Sequence, residues 1–143
     1  MTDAFVNALM QLYFNNVAHA NVGDASGLQP SSAAGSFYIS LHTSAPGATG
    51  NQTTNEATYT GYGRVAVARS SGGWTVSGRN ASNTSTVTFG QNTGSNQDIS
   101  HFGIGSDASG TGNLQFQAAL DTVRTIATGT APEFEAGELD IDG

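Results

Sequence analysis

The chain has 143 residues, 37% of them hydrophobic, with four arginines, no lysine, no cysteine and eleven acids, for a net charge of −7. That length suits one domain with a real core, since a chain near this size buries about 68–70% of its unfolded surface and needs no disulfide or metal staple. The acidic balance speaks against nucleic acid and anionic membrane as partners, because both are held mainly through Lys and Arg.

Nineteen glycines against three prolines suit many short strands joined by tight turns. No apolar run approaches the roughly 20 residues of a membrane-spanning helix. Met1-Thr2-Asp3 lacks the basic region and apolar stretch of a leader, so a soluble intracellular product is expected.

In chain order, the first segment predicts a helix. Thr2 or Asp3 can cap it, and Asp3 suits the positive end of its dipole. Phe5, Leu9, Leu12 and Tyr13 recur at helical spacing, with Val6, Met10, Phe14 and Val17 widening the stripe. So wide a stripe packs on its own domain, with part of it available to dock on another subunit. Residues from about Asn21 to Gly35 carry turn-formers and predict a loop.

Ser36 to His42 then alternates, placing Phe37, Ile39 and Leu41 on a buried face and His42 on the polar one. Thr43 to Thr60 predicts a long exposed loop, and loops of that length are usually functional or flexible. Val65 and Val67 mark an inward strand face, Ser70-Ser71-Gly72-Gly73 a tight turn, and Trp74 a core anchor on the parity of Val76. Thr84 to Phe89 alternates as a further strand. Ile99, Phe102 and Ile104 mix two parities, which requires a bulge or burial on both faces. Asp107-Ala108-Ser109-Gly110 predicts a turn, and Leu114, Phe116, Val123 and Ile126 run on beyond it. At the end, Glu133, Glu135, Asp140 and Asp142 alternate with Phe134, Ala136, Leu139 and Ile141 around a bulge at Gly137-Glu138. That parity reads as the wet face of an amphipathic edge strand, where charge blocks unwanted pairing.

The fold class expected is therefore mainly β, an antiparallel sandwich or jelly-roll-like domain with one N-terminal α-helix. The whole of 1–143 forms one domain, with a helix or arm over 1–20 and the sandwich over 36–143.

Signs of catalysis are few. The run Gly103 to Gly112 has the glycines of a phosphate loop but no lysine and no following helix. The histidines at 19, 42 and 101 have no zinc-site spacing, and no Gly-x-Ser-x-Gly elbow occurs. The terminal acids share one environment, whereas a glycosidase pair needs two. Asn51-Gln52-Thr53, Asn80-Ala81-Ser82 and Asn83-Thr84-Ser85 match glycosylation sequons by chance in so Asn-, Ser- and Thr-rich a chain. No enzyme, cofactor or metal is expected.

Several stretches, in order, carry a resemblance. They are Met1 to Leu9, Tyr38-Ile39-Ser40-Leu41-His42-Thr43-Ser44-Ala45-Pro46-Gly47, Glu56, Gly61 to Val67, His101-Phe102-Gly103-Ile104, Gly112-Asn113-Leu114 and Pro132 to Leu139. Together they resemble a family of small tailed-bacteriophage virion proteins, whose members are often labelled tail-fibre or minor tail proteins. Proteins of this size and character also serve as capsid cement or decoration proteins. The family brings no catalytic residues.

The resemblance implies first a cement protein on the capsid exterior, assembled in the host cytoplasm. It would bind the major capsid protein and itself, as a homodimer ahead of a homotrimer. A tail-fibre or minor tail subunit is the alternative. A host-surface carbohydrate module is a third reading, and would need Tyr59, Tyr62 and Trp74 exposed. Candidate interface residues are Phe5, Leu9, Leu12, Tyr13 and Phe14 on the helix and Glu133, Glu135, Asp140 and Asp142 on the acidic strand, with the loop Ala45–Thr58 beside them.

Overall fold

A computed structural model describes all of residues 1–143. It is mainly β and antiparallel, with one helix, in agreement with the class expected from the alternation. The elements in order are α1 (Asp3–Asn15), β1 (Ser36–His42), β2 (Val65–Ala68), β3 (Trp74–Ser77), β4 (Asn80–Asn83), β5 (Val87–Thr88), β6 (Gln97–Gly105), β7 (Leu114–Ile126), β8 (Glu133–Phe134) and β9 (Asp140–Asp142). The chain packs as two compact units, one of Met1–Ser36, Val67–Val87 and Phe134–Gly143, the other of Phe37–Ala66 and Thr88–Glu133.

In the first unit α1 packs on β3 and β4 of a three-stranded sheet ordered β3-β4-β9. Thr2 caps the helix, its Oγ1 accepting the Phe5 N–H at 3.4 Å, and Asn16 ends it in the left-handed region at φ 56. No basic residue lies in the last turn of α1 itself. Arg69 supplies that charge from a distance, donating to the carbonyls of Leu12 (3.0 Å), Tyr13 (2.7 Å) and Ala34 (3.0 Å). A guanidinium there satisfies carbonyls the helix leaves open and meets the negative end of its dipole.

Val6, Met10 and Phe14 form the buried face of α1, with Phe14 against Trp74 at 4.9 Å between ring centroids. Both rings are fully buried, so Trp74 is the core anchor its parity predicts. Phe14 is core as well, and its candidacy as an interface residue is corrected accordingly.

β3 and β4 form a hairpin closed by Gly78 and Arg79, with Gly78 at φ 59 in the first loop position. That glycine-first arrangement suits the twist of the flanking strands. Alternation marks a strand from Thr84 to Phe89 and none at Asn80–Asn83; the structure has β4 at Asn80–Asn83, and only Val87–Thr88 of the later stretch is a strand. Asn83 explains why β4 stops there. It is 1% exposed and saturates its amide, donating to Ser85 O and Glu135 O at 2.8 Å and accepting from Gly137 N (3.1 Å) and Leu139 N (2.9 Å). The acidic segment is consequently two strands in two ladders, β8 with β5 and β9 with β4, and not a single bulged strand. The break is a turn in which Gly137 takes φ 86.

The second unit is built on the four-stranded sheet β2-β1-β6-β7. β1 pairs with β6 in the register Ile39↔Ile104, Leu41↔Phe102 and His42↔His101. The mixed parity of β6 is met in both expected ways. Ile99 and Ile104 are fully buried, and the β6–β7 register shifts between Ile99 and His101. The segment after β1 is the long and largely exposed loop its composition suggested, but it is pinned at four buried positions. Pro46, Gln52, Ala57 and Tyr59 are buried, while Thr43–Ala45, Gly47–Thr49 and single residues such as Thr53 and Asn55 lie open.

Each buried backbone group left without a partner costs about 1–3 kcal/mol. Asn83→Leu leaves the Ser85 carbonyl and the Leu139 N–H without their partners, while Glu135 O keeps Glu138 N and Gly137 N keeps the Asn83 carbonyl, and is expected to lower unfolding stability by about 2–4 kcal/mol in urea titrations. Asn80→Ala, on the same strand but bonded only to an exposed Asp140 side chain, should cost about 1 kcal/mol or less.

Candidate functional site

The groups that most resemble catalytic machinery lie on β1. Ser40 and His42 are two residues apart, so their side chains share a face of the strand. Ser40 Oγ lies 2.8 Å from His42 Nε2, and His42 Nδ1 lies 2.9 Å from the Thr54 carbonyl. A carbonyl only accepts, so Nδ1 carries the proton, and neutral Nε2 accepts from the Ser40 hydroxyl. Burial holds the His42 pKa below its ordinary 6.5 and keeps the ring neutral.

The polarity matches that of a serine nucleophile and its base, but the accessibility does not. Both side chains are fully buried. The floor above them is closed by Gly103, where an added Cβ would come within 2.6 Å of Leu114 Cδ1 and 2.8 Å of both His42 Nε2 and Ser40 Oγ. A substrate carbonyl has no route to the hydroxyl in this arrangement. His42 is thus a core residue, and its assignment to a polar face is corrected: the β1 end is buried on both sides.

Around His42 the loop is held by an ion pair. Arg64 grips Glu56 through Nε to Oε1 at 2.7 Å and Nη2 to Oε2 at 2.8 Å, and the Arg64 side chain is only 3% exposed. The same guanidinium donates to Asp107 O (2.9 Å) and Gly110 O (2.7 Å), fixing the turn between β6 and β7. Tyr62 donates to Glu56 Oε1 at 2.8 Å and accepts the Leu41 N–H at 3.1 Å. Burial pushes its phenol far above the ordinary range. The pairing with Glu56 likewise raises Arg64, keeping it charged.

No three His, Asp or Glu side chains converge as a metal site would require. His101 does stand opposite His42 in the β1–β6 ladder, a proximity that chain spacing concealed. The aromatic trio needed for a sugar platform is spent in packing: Tyr59 and Trp74 are buried, and Tyr62 sits between Tyr59 (5.4 Å) and Phe89 (6.2 Å).

What remains open to a partner is surface. Phe5 is 41% exposed and touches His19 at 5.7 Å, while Leu9, Leu12 and Tyr13 are half-buried on α1. Met1, Val17, Val22 and Leu28 add exposed apolar area in the same unit. Glu133, Glu135, Asp140 and Asp142 are all exposed, divided between β8 with its following turn and the edge strand β9. Glu133 accepts from Thr88 Oγ1, and Asp140 from Asn80. In the other unit an open cleft runs between Gly47–Gly50 and Leu114–Gln117, with no ionisable side chain in its lining. Its free wall is β7, the sheet edge. Periodicity could not single out β7, because nine of its thirteen residues are exposed and neither face alternates cleanly.

A buried neutral His contributes stability that is complete above the unfolded-state pKa near 6.5, and that is lost as pH falls from there through the lower folded value. Urea unfolding of the wild type should therefore weaken between about pH 7 and about pH 5. In His42→Gln, which can still bridge Ser40 and Thr54, the His42 share of that slope should vanish. An identical slope in both proteins would show that His42 does not titrate on unfolding.

Comparison with known proteins gives the family. No curated protein matches the sequence. The profile of a phage virion family, described as "Podophage GP4 fiber I protein gp80", matches residues 1–142. The resemblance carried by the N-terminal segment, the Tyr38–Gly47 stretch and the Pro132–Leu139 stretch is thereby borne out, and the chain belongs to the Podophage GP4 fiber I protein gp80 family.

Proposed function

We propose that the chain is a structural subunit of a phage fibre, working by contact and not by chemistry. The observation that carries this reading is the match of the fibre family over residues 1–142. The geometry supports it. The Ser40–His42 pair is sealed, and the exposed features are apolar side chains on the N-terminal segment, an acidic edge at β9 and a long open edge at β7. Contacts of that kind join subunits by buried apolar area, with peripheral charge orienting them. Peripheral ion pairs contribute only about 0–1 kcal/mol each, so the acids steer more than they hold.

The cement reading uses the same surfaces against the major capsid protein on the outside of the head. The family description favours a fibre over that placement. Gold-labelled antibody on purified virions separates the two. Label on fibres at the tail, with particles lacking the protein adsorbing poorly to cells but keeping heads of normal heat resistance, is the expected result. Label spread over the shell, with heads that burst at lower temperature until the protein is added back, would overturn the fibre assignment in favour of cement.

A further inference from the structure

β7 ends the four-stranded sheet, and its outer edge is uncovered. Its ladder with β6 is broken twice. Gln115 is an extra residue between the pairs Ile104↔Phe116 and Gly105↔Leu114, and Leu120–Val123 stand against the single Ser100. The second break carries Val123, which is 61% exposed and is the one large apolar side chain exposed beyond the first 28 residues. Two charges flank it, Asp121 and Arg124. Of the four arginines, Arg64 holds Glu56, Arg69 holds the helix end and Arg79 holds Asp3. The Arg124 side chain has no ion pair or hydrogen bond within the chain, and neither does that of Asp121, although they stand only three positions apart.

We propose that this segment is a two-fold contact between two copies of the chain, in which Asp121 of each copy meets Arg124 of the other. A two-fold contact uses one patch on both sides and must be complementary to itself. Residues 120–125 meet that condition. When two such segments run antiparallel about an axis between Thr122 and Val123, position 121 falls opposite 124 on both sides of the axis, and the two Val123 side chains lie next to it.

The unpaired Asp121 and Arg124, opposite in sign and three positions apart, argue for a second copy as the occupant. Each chain carries −7, so copies repel unless a cation is placed to offset it, and Arg124 is the only arginine not already engaged. The bulges spoil a continuous ladder along β7, which also keeps the edge from pairing indiscriminately. Val123, Leu120 and the short free stretches of backbone supply the attraction, and the reciprocal ion pairs set register and orientation. The contact extends beyond the fibre reading and does not depend on where in the virion the chain resides.

Sedimentation velocity of the full chain over a range of concentrations tests it. The wild type should form dimers that weaken as salt is raised. Arg124→Asp and Asp121→Arg each set like charges opposite one another and should raise the dimer dissociation constant about tenfold or more. Arg124→Gln, which only removes attraction, should do less. The double variant Asp121→Arg/Arg124→Asp restores opposite charges in reversed order and should regain the wild-type constant to within about threefold. Both side chains are exposed, so circular dichroism and melting should be unchanged in all four. A wild type that stays monomeric, a trimer, or a double variant as weak as the singles would overturn the contact. None of those results bears on whether antibody finds the protein on fibres.

Discussion

Much of this fold depends on side-chain amides and guanidinia standing in for backbone that is not there. Strands are short and turns are long, so many buried peptide groups have no ladder partner, and each must find one elsewhere. Gln52 is the clearest instance. Fully buried, it donates to Asp107 O at 3.1 Å and accepts Asp107 N at 2.9 Å, acting as one more strand residue beside a turn. Asn92 does the same for Ser95 O, Ile126 O and Gly94 N, and Asn83 for the four groups around β4. Arg64 and Arg69 complete the set, Arg64 bonding two carbonyls of the Asp107–Gly110 turn and Arg69 carbonyls from the end of α1 and from Ala34. An amide with two donors and an acceptor oxygen is neutral, so it can be buried at little desolvation cost once all its bonds are made. That accounts for a chain with 10% charge yet abundant Asn and Gln.

The same dependence marks the boundary of what the sequence discloses. Alternation is a local signal, and it located α1, β1, the anchor role of Trp74 and the mixed parity of β6. It could not show that His42 is buried, because both faces of β1 are covered at that end by residues far along the chain, Thr54 and Gly103 among them. It could not show that the polar stretch after Thr43 is pinned inward, because Gln52 and Glu56 read as surface residues until Asp107 and Arg64 are seen beside them. Nor could it divide the acidic segment, whose continuous parity spans two ladders and whose division is made by Asn83, some fifty positions earlier. The interface candidates fared unevenly for a related reason. A wide helical stripe says that α1 is buried on one side; which of its rings faces inward depends on Trp74.

A phage structural subunit has little use for a reactive centre, and the Ser40–His42 pair shows how such a constellation can arise as packing. Two polar side chains on one strand face, buried together, must bond one another or a carbonyl. The geometry that results is shared with nucleophile and base, and the difference lies in access. Membership of this phage virion family and a sealed Ser–His pair fit together: the parts of this molecule that meet the outside are mainly exposed apolar side chains, small polar residues and carboxylates, with Arg124 among them.

The engagement of the arginines has a further consequence for a particle that must persist outside a host. Proteases that cut after Lys or Arg have four possible sites here, since lysine is absent. At Arg64 and Arg69 the specificity-determining side chain is bonded into the fold, and at Arg79 it is tied to Asp3 and to the Met1 and Gly143 carbonyls. A trypsin-like enzyme needs that side chain withdrawn into its own pocket with the backbone extended around it. Arg124, next to an irregular stretch of sheet edge, and Arg79, in the β3–β4 turn with a partly exposed side chain, are the places where both can be had most readily. Cutting of the native chain by such enzymes should therefore be confined to Arg124 and Arg79, and any neighbour that covers β7 closes the first of these.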